Sequence, residues 1–192
     1  MRLALLNKNM LSIFIRFMSW SLLGLSVLPL PVQAVDNGVF DSSRDWSETQ
    51  IERYFSGINE IRCADGLAPL SSSGQLAAAA QNKAEDMARA GYFAHYGPDG
   101  KTPWQWLDEA GYQPLYAGEN LARNGFDADA VLKAWLASAG HKKNIMNEKF
   151  SEMGIGIARA AYEGRETIFV VQMFGQPLLD ASLSATSQTA SS

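Results

Sequence analysis

The chain holds two histidines, His95 in "FAHYGPDG" and His141 in "SAGHKKNIMN", each beside a glycine-marked turn. An imidazole exchanges a proton near neutral pH, and in its neutral form it ligates a divalent metal. Between them lies "AGENLA", in which Glu119 sets a charge inside a mostly apolar stretch. A buried carboxylate is costly unless paired or hydrogen-bonded, and in a cleft its natural partners are histidine or lysine nitrogens. Each group also has a plain structural reading. His95 could cap a helix end or bond a turn carbonyl, His141 could be a satisfied structural group, and Glu119 could hold backbone amides.

Other chemistry is thinly represented. There is no G-x-S-x-G elbow, H-E-x-x-H helix or Walker loop, and "GIGIAR" lacks the third glycine of a dinucleotide fingerprint. Cys63 is the only cysteine. Its setting, "EIRCADG", suits a small residue at a helix end better than a nucleophile, and one thiol allows no internal disulfide.

The elements that must position these groups are legible by period. "SETQ" reads as a capping box with Ser47 as N-cap and Gln50 closing it, followed by Ile51, Tyr54, Phe55, Ile58 and Ile61 at helical spacing. A second helix is expected from Gly74 to Ala90, its inner face Leu76, Ala80, Ala84, Met87 and Ala88, with Gly91 as the stop. So many alanines imply a closely approaching neighbour. "TPWQ" opens a third helix with Thr102 as N-cap and Gly111 ending it, and Asp127 or Asp129 opens a fourth that carries Val131, Leu132 and Trp135. His141 begins a short basic helix, with Ile145 and Met146 turned inward. From Glu152 the period becomes two: "EMGIGIA" and "TIFVVQMF" read as a β-hairpin turning at Glu163 to Arg165, with its second strand buried on both faces. Gly154 and Gly156 would admit another backbone close to the first strand. Helices preceding strands indicate a layered α+β domain.

Of the 192 residues, 1–34 read as an export leader: Arg2, Lys8 and Arg16 without an acid, an apolar run from Phe17 to Leu30, then Val32-Gln33-Ala34 at the cleavage point. Losing those three cations takes the formal net charge from −4 to −7. An acidic chain with few basic clusters gives no reason to expect nucleic acid as a partner. Residues 35–46 read as a lead-in, 47–179 as one domain, and 180–192 as a polar tail too poor in apolar residues to pack. The product is expected to be exported to the periplasm or outside, with no membrane span in the mature form.

Three segments in order, "INEIRCADGLAPLSSSGQLAAAAQNKAEDMARAGYFAHYGPDG", "AGENLA" and "SAGHKKNIMNEKFSEMGIGIA", closely resemble the bacterial, SCP-like branch of the CAP superfamily. That superfamily groups cysteine-rich secretory proteins, antigen 5 and pathogenesis-related class 1 proteins, and the likeness runs from about Ile51 to Phe174. The resemblance implies a three-layer α-β-α sandwich with a central cleft lined by two histidines and two acids. His95 matches the histidine after the second helix, Glu119 the glutamate of the G-E-N motif, and His141 the histidine of the G-H-x-x-N segment. Asp99, Asp108 and Glu109 lie between His95 and Glu119, and none sits in a motif that assigns the second acid.

Two neutral imidazoles and a carboxylate suit zinc or another divalent cation, with His95 and His141 as ligands. Trp104, Trp106, Tyr112 and Tyr116 could line the cleft and favour an apolar or sugar ligand, or pack in the core, the commoner fate of such residues. Three functions follow from the resemblance. The chain is a non-catalytic domain that binds a small apolar, lipid or envelope ligand, a metal or a protein at this cleft; or a metal-assisted or histidine-based hydrolase with Glu119 as base; or a structural, adhesive surface module.

Overall fold

The structure, a computed structural model, describes residues 42–178. The expected leader, most of the lead-in and the polar tail lie outside those residues. The elements in chain order are α1 (Ser42–Ala64), β1 (Ser71–Ser72), α2 (Gly74–Ala90), α3 (Pro103–Glu109), β2 (Pro114–Arg123), α4 (Ala128–Ala137), α5 (Ala139–Ile145), β3 (Glu152–Tyr162) and β4 (Arg165–Pro177).

Four strands form one mixed sheet in the order β1-β3-β4-β2. β3 and β4 are the expected hairpin. Glu163 and Gly164 turn it, both with positive φ (50° and 75°), as a two-residue turn matching strand twist requires. β4 is central and buried on both faces. Its residues alternate between two cores: Ile168, Val170 and Phe174 pack with α1, α4 and α5, whereas Phe169, Val171 and Met173 pack with α2 and α3. The result is the expected α-β-α sandwich.

The alanines of α2 and the glycines of β3 explain each other. A Cβ on Gly154 would stand 2.1 Å from the Ala77 backbone nitrogen, and one on Gly156 would stand 2.2 Å from the Ala80 carbonyl carbon. The helix therefore lies directly on the strand, closer than side chains would permit. Its buried face is Leu76, Ala79, Ala80, Lys83, Ala84 and Met87, with Ala88 half-buried in the same core.

The beginning of the first helix is corrected. Ser47 lies inside α1, which starts at Ser42 and takes in the last residues of the expected lead-in. No glycine or proline interrupts 42–50, so the helix continues upstream. Gln50 does cap a helix, but another one: its Oε1 accepts from the Ala128 amide at 3.0 Å, at the first residue of α4. The capping box at α3 is as expected, with reciprocal Thr102 and Gln105 bonds, and of the two candidates at α4 it is Asp127 that forms the N-cap. α5 starts at Ala139, two residues ahead of His141. Buried Arg62 of α1 ties down the far end of that helix, donating to the carbonyls of Ile145 (2.7 Å) and Asn147 (2.9 Å).

β2 carries Glu119 and has no strand signal of its own. It forms because the outer edge of β4 must be paired, and its register places Glu119 opposite Met173 and Asn120 opposite Gln172.

Candidate functional site

β2 is an edge strand, and the two helical layers meet over its outer side. There they enclose a cleft of about 470 Å³. The "GEN" triplet uses the alternation of a strand. Gly118 leaves room for the Phe150 ring, which would stand 2.7 Å from a Cβ there. Glu119 turns toward α2 and Asn120 toward α5.

On the α2 side, Gly91 ends the helix in the left-handed conformation, its N–H donating to Met87 at 3.0 Å. The chain that follows brings His95 to the cleft mouth, where its side chain is half exposed. His95 Nδ1 lies 2.5 Å from Glu119 Oε1. A carboxylate has no hydrogen to give, so Nδ1 carries a proton and Nε2 is the nitrogen turned away from it. Glu119 Oε2 lies 3.0 Å from Lys83 Nζ, and both side chains are almost wholly buried, at 2% and 0% exposure. Lys83 Nζ also donates to the His95 carbonyl. Burial pushes the Lys83 pKa down, opposed by the charge and hydrogen bond of Glu119. Lys83, Glu119 and His95 thus form a relay from the core to the cleft.

The α5 side has no charge in its frame. Asn144 Nδ2 donates to the Glu119 carbonyl and to Asn120 Oδ1, both at 2.9 Å. Asn120 Nδ2 in turn donates to the His141 carbonyl (3.3 Å) and to Gln172 Oε1 (3.2 Å). Trp135 Nε1 donates to the Leu121 carbonyl at 3.0 Å. These side chains satisfy the backbone of β2 where a further strand would otherwise pair. The His141 ring packs at 6.3 Å from the Trp135 ring, tilted by 48°. Its pKa is lowered by burial first and by repulsion from a protonated His95 second, and both disfavour the charged ring.

His95, Glu119 and His141 therefore line one cleft. His95 and Glu119 are in contact; His141 faces them from the other layer. Asp99, Asp108 and Glu109 do not line it. Asp99 accepts from the Lys101 amide (3.0 Å) in its own turn, Glu109 pairs with Lys101 at 2.6 Å, and Asp108 is exposed. The place opposite Glu119 is taken by a cation, Lys83, and not by a second acid. Among the described residues, no three His, Cys, Asp or Glu converge to hold a metal ion. Trp104 lines the cleft, whereas Trp106 and Tyr112 are core residues and Tyr116 lies exposed on β2 beneath Lys149. Cys63 is exposed at the end of α1.

Sequence reasoning missed Lys83, Tyr96 and Asn144. For Lys83 a signal existed: it stands three residues after Ala80 and four before Met87, inside the apolar stripe of α2.

Two helical layers on a mixed sheet, with a histidine from each layer meeting over an edge glutamate, define a recognisable class. Residues 55–174 match the CAP family, the cysteine-rich secretory protein family, and the chain belongs to it. It is similar to YkwD of Bacillus subtilis (strain 168), 37% identical over 98 residues, 51% of this chain and 38% of that protein. It is also similar to the membrane protein YlbC of the same organism, 35% identical over 130 residues, 68% of this chain and 37% of that one. The chain thus spans well under half the length of these relatives. Among solved structures it resembles an extracellular SCP-domain protein of Bacillus anthracis (32% identity, TM-score 0.60, 67% of this chain and 41% of that chain). Another is an outer surface protein of Borrelia burgdorferi (26% identity, TM-score 0.59, 69% of this chain and 96% of that chain).

Proposed function

We propose that this chain is an exported binding protein whose cleft at His95, Glu119 and His141 receives a ligand. The observation that carries the reading is the engagement of Glu119: one oxygen faces Lys83 and the other His95. A hydrolase using Glu119 as its base needs that carboxylate free toward a water or substrate. Here it orients an imidazole instead. Export is supported by the leader pattern and by relatives named as extracellular and outer surface proteins. No helix among the described residues is long and apolar enough to cross a membrane.

A zinc-like ion would be held by His95 Nε2 and a His141 nitrogen, with Glu119 behind His95 as the orienting carboxylate. Bound there, it would polarise a ligand oxygen. Two protein ligands fall short of the three that a catalytic zinc centre uses, so the ion would assist binding, not replace it.

The test separates retention from turnover. Gly140 lines the cleft, and a Cβ on it meets nothing within 4 Å, so Gly140→Phe is expected to obstruct the cleft with the fold intact. The exported protein and this variant are incubated with a pool of envelope glycan fragments, lipids and peptides and followed by mass spectrometry. The expected result is a molecule retained by the protein and lost from the variant, with the pool unchanged in mass. A pool cleaved by the protein and not by the variant would establish a hydrolase.

A further inference from the structure

Two large rings stand exposed at the cleft: Trp104, 44% exposed, and Tyr96, 60% exposed. Among the described residues, neither stacks on another ring or takes a cation. The backbone that carries Trp104 is fixed. This residue occupies the second position of α3, whose start is fixed by the Thr102 and Gln105 capping box. Exposed apolar faces beside a cavity mark a ligand surface.

The polar part of the cleft is rich in acceptors and carries no free charge. In its neutral form His95 presents Nε2 as an acceptor, because its Nδ1 proton is held by Glu119. Asn144 uses both amide hydrogens on β2, which leaves its Oδ1 as an acceptor. The Ser138 hydroxyl lines the cleft and caps nothing at the start of α5. Glu119, the one charged residue in the lining, is neutralised by Lys83.

We infer that the cleft takes a neutral carbohydrate, its C–H faces packed on Trp104 and Tyr96 and its hydroxyls donating to His95, Asn144 and Ser138. The inference rests on the cleft being a binding site, as proposed above. Other classes fit less well. A purely apolar ligand would leave those acceptors unpaired. An extended peptide could not add to the sheet, because the outward carbonyls of Glu119 and Leu121 already accept from Asn144 and Trp135.

The experiment is an NMR titration of ¹⁵N-labelled exported protein with N-acetylchitotetraose, with maltotetraose and, separately, with monomeric lysophosphatidylcholine. A tetrasaccharide is expected to shift the Trp104 indole N–H and the Tyr96 amide. Trp104→Ala should weaken it about tenfold, the worth of one aromatic contact, whereas Trp104→Phe keeps most of the affinity and Gly140→Phe abolishes it. Sugar binding that Trp104→Ala leaves unchanged would overturn the stacking role. Shifts at the cleft with the lysolipid and none with either sugar would overturn the carbohydrate class and keep the binding site. No shift at the cleft with any of the three would overturn both.

Discussion

His95 and His141 reach the same cleft from opposite layers and are held there by opposite means. The His95 wall is electrostatic: buried Lys83 grips Glu119, and Glu119 grips the imidazole. The His141 wall is neutral, built from amide side chains bonded to β2 and from the Trp135 ring. The difference lies in how each wall fails. A buried ion pair that loses one member strands the other charge, whereas a neutral network loses one bond at a time. One wall is therefore all-or-none and the other graded, and four substitutions rank accordingly.

Lys83→Met should have the largest effect. Methionine fits the aliphatic volume, but Glu119 keeps only His95 as a partner at 2% exposure. Breaking a buried pair this way costs about 3–5 kcal/mol. Urea unfolding should show it, and the double variant Lys83→Met with Glu119→Leu should regain most of the loss. A double variant as weak as the single one would mean that Lys83 acts through packing and not through charge.

Gly156→Ala tests the other reason the α2 layer is unforgiving. The added Cβ meets the backbone of Ala80 at 2.2 Å, which no rotamer change relieves, so the helix must lift from β3. A loss of about 1–3 kcal/mol is expected, at the upper end because backbone and not side chain must move. Thermal unfolding measures it. A neutral outcome would contradict the close seating of α2.

These two sites also show what sequence can and cannot convey. The helices other than the start of α1, the cap at Thr102, the opening of α4 at Asp127 or Asp129, and the hairpin were legible because period and capping are local. Gly154 and Gly156 announced a close neighbour for the same reason, though not that α2 would be the neighbour. β2 was not legible. Its central residues, Gly118, Glu119 and Asn120, answer to three different surroundings, the Phe150 ring, Lys83 and α5, and none of these is adjacent in the chain. The histidines and Glu119 were found by type and by resemblance to relatives. Lys83 was passed over although its place in the apolar stripe of α2 was visible. The second acid that the resemblance implied is not among the residues lining the cleft, and Glu119 faces that cation instead.

Asn144→Ala, on the neutral wall, removes two hydrogen bonds of 2.9 Å, one to the Glu119 carbonyl and one to Asn120. The site is only half-buried, so water can replace part of what is lost. A cost of about 1–2 kcal/mol is expected, with Asn144→Asp costing at least as much because its carboxylate would face two acceptor oxygens. A loss as large as that of Lys83→Met would erase the distinction between the walls.

The smallest effect is the pH response of His141. Burial, and then the field of His95, set its folded pKa below the ordinary 6.5. Between the folded value and 6.5 the unfolded chain binds more protons than the folded one, so stability from this group rises with pH through that window and is lost on acidification. His141→Gln keeps a polar side chain and removes the titration. The stability of the wild type relative to this variant, measured by urea unfolding at about pH 7.5 and again at about pH 5.5, on either side of the ordinary histidine value, should therefore fall at the lower pH. In a His95→Gln background the fall should shrink, because the repelling charge has gone, but not vanish, because burial is the larger cause. A wild-type advantage that grows on acidification would mean that the His141 imidazolium finds an anion in the fold. Glu119 is the carboxylate that lines the same cleft, and the separation of the two walls requires that Lys83 and His95 keep it engaged.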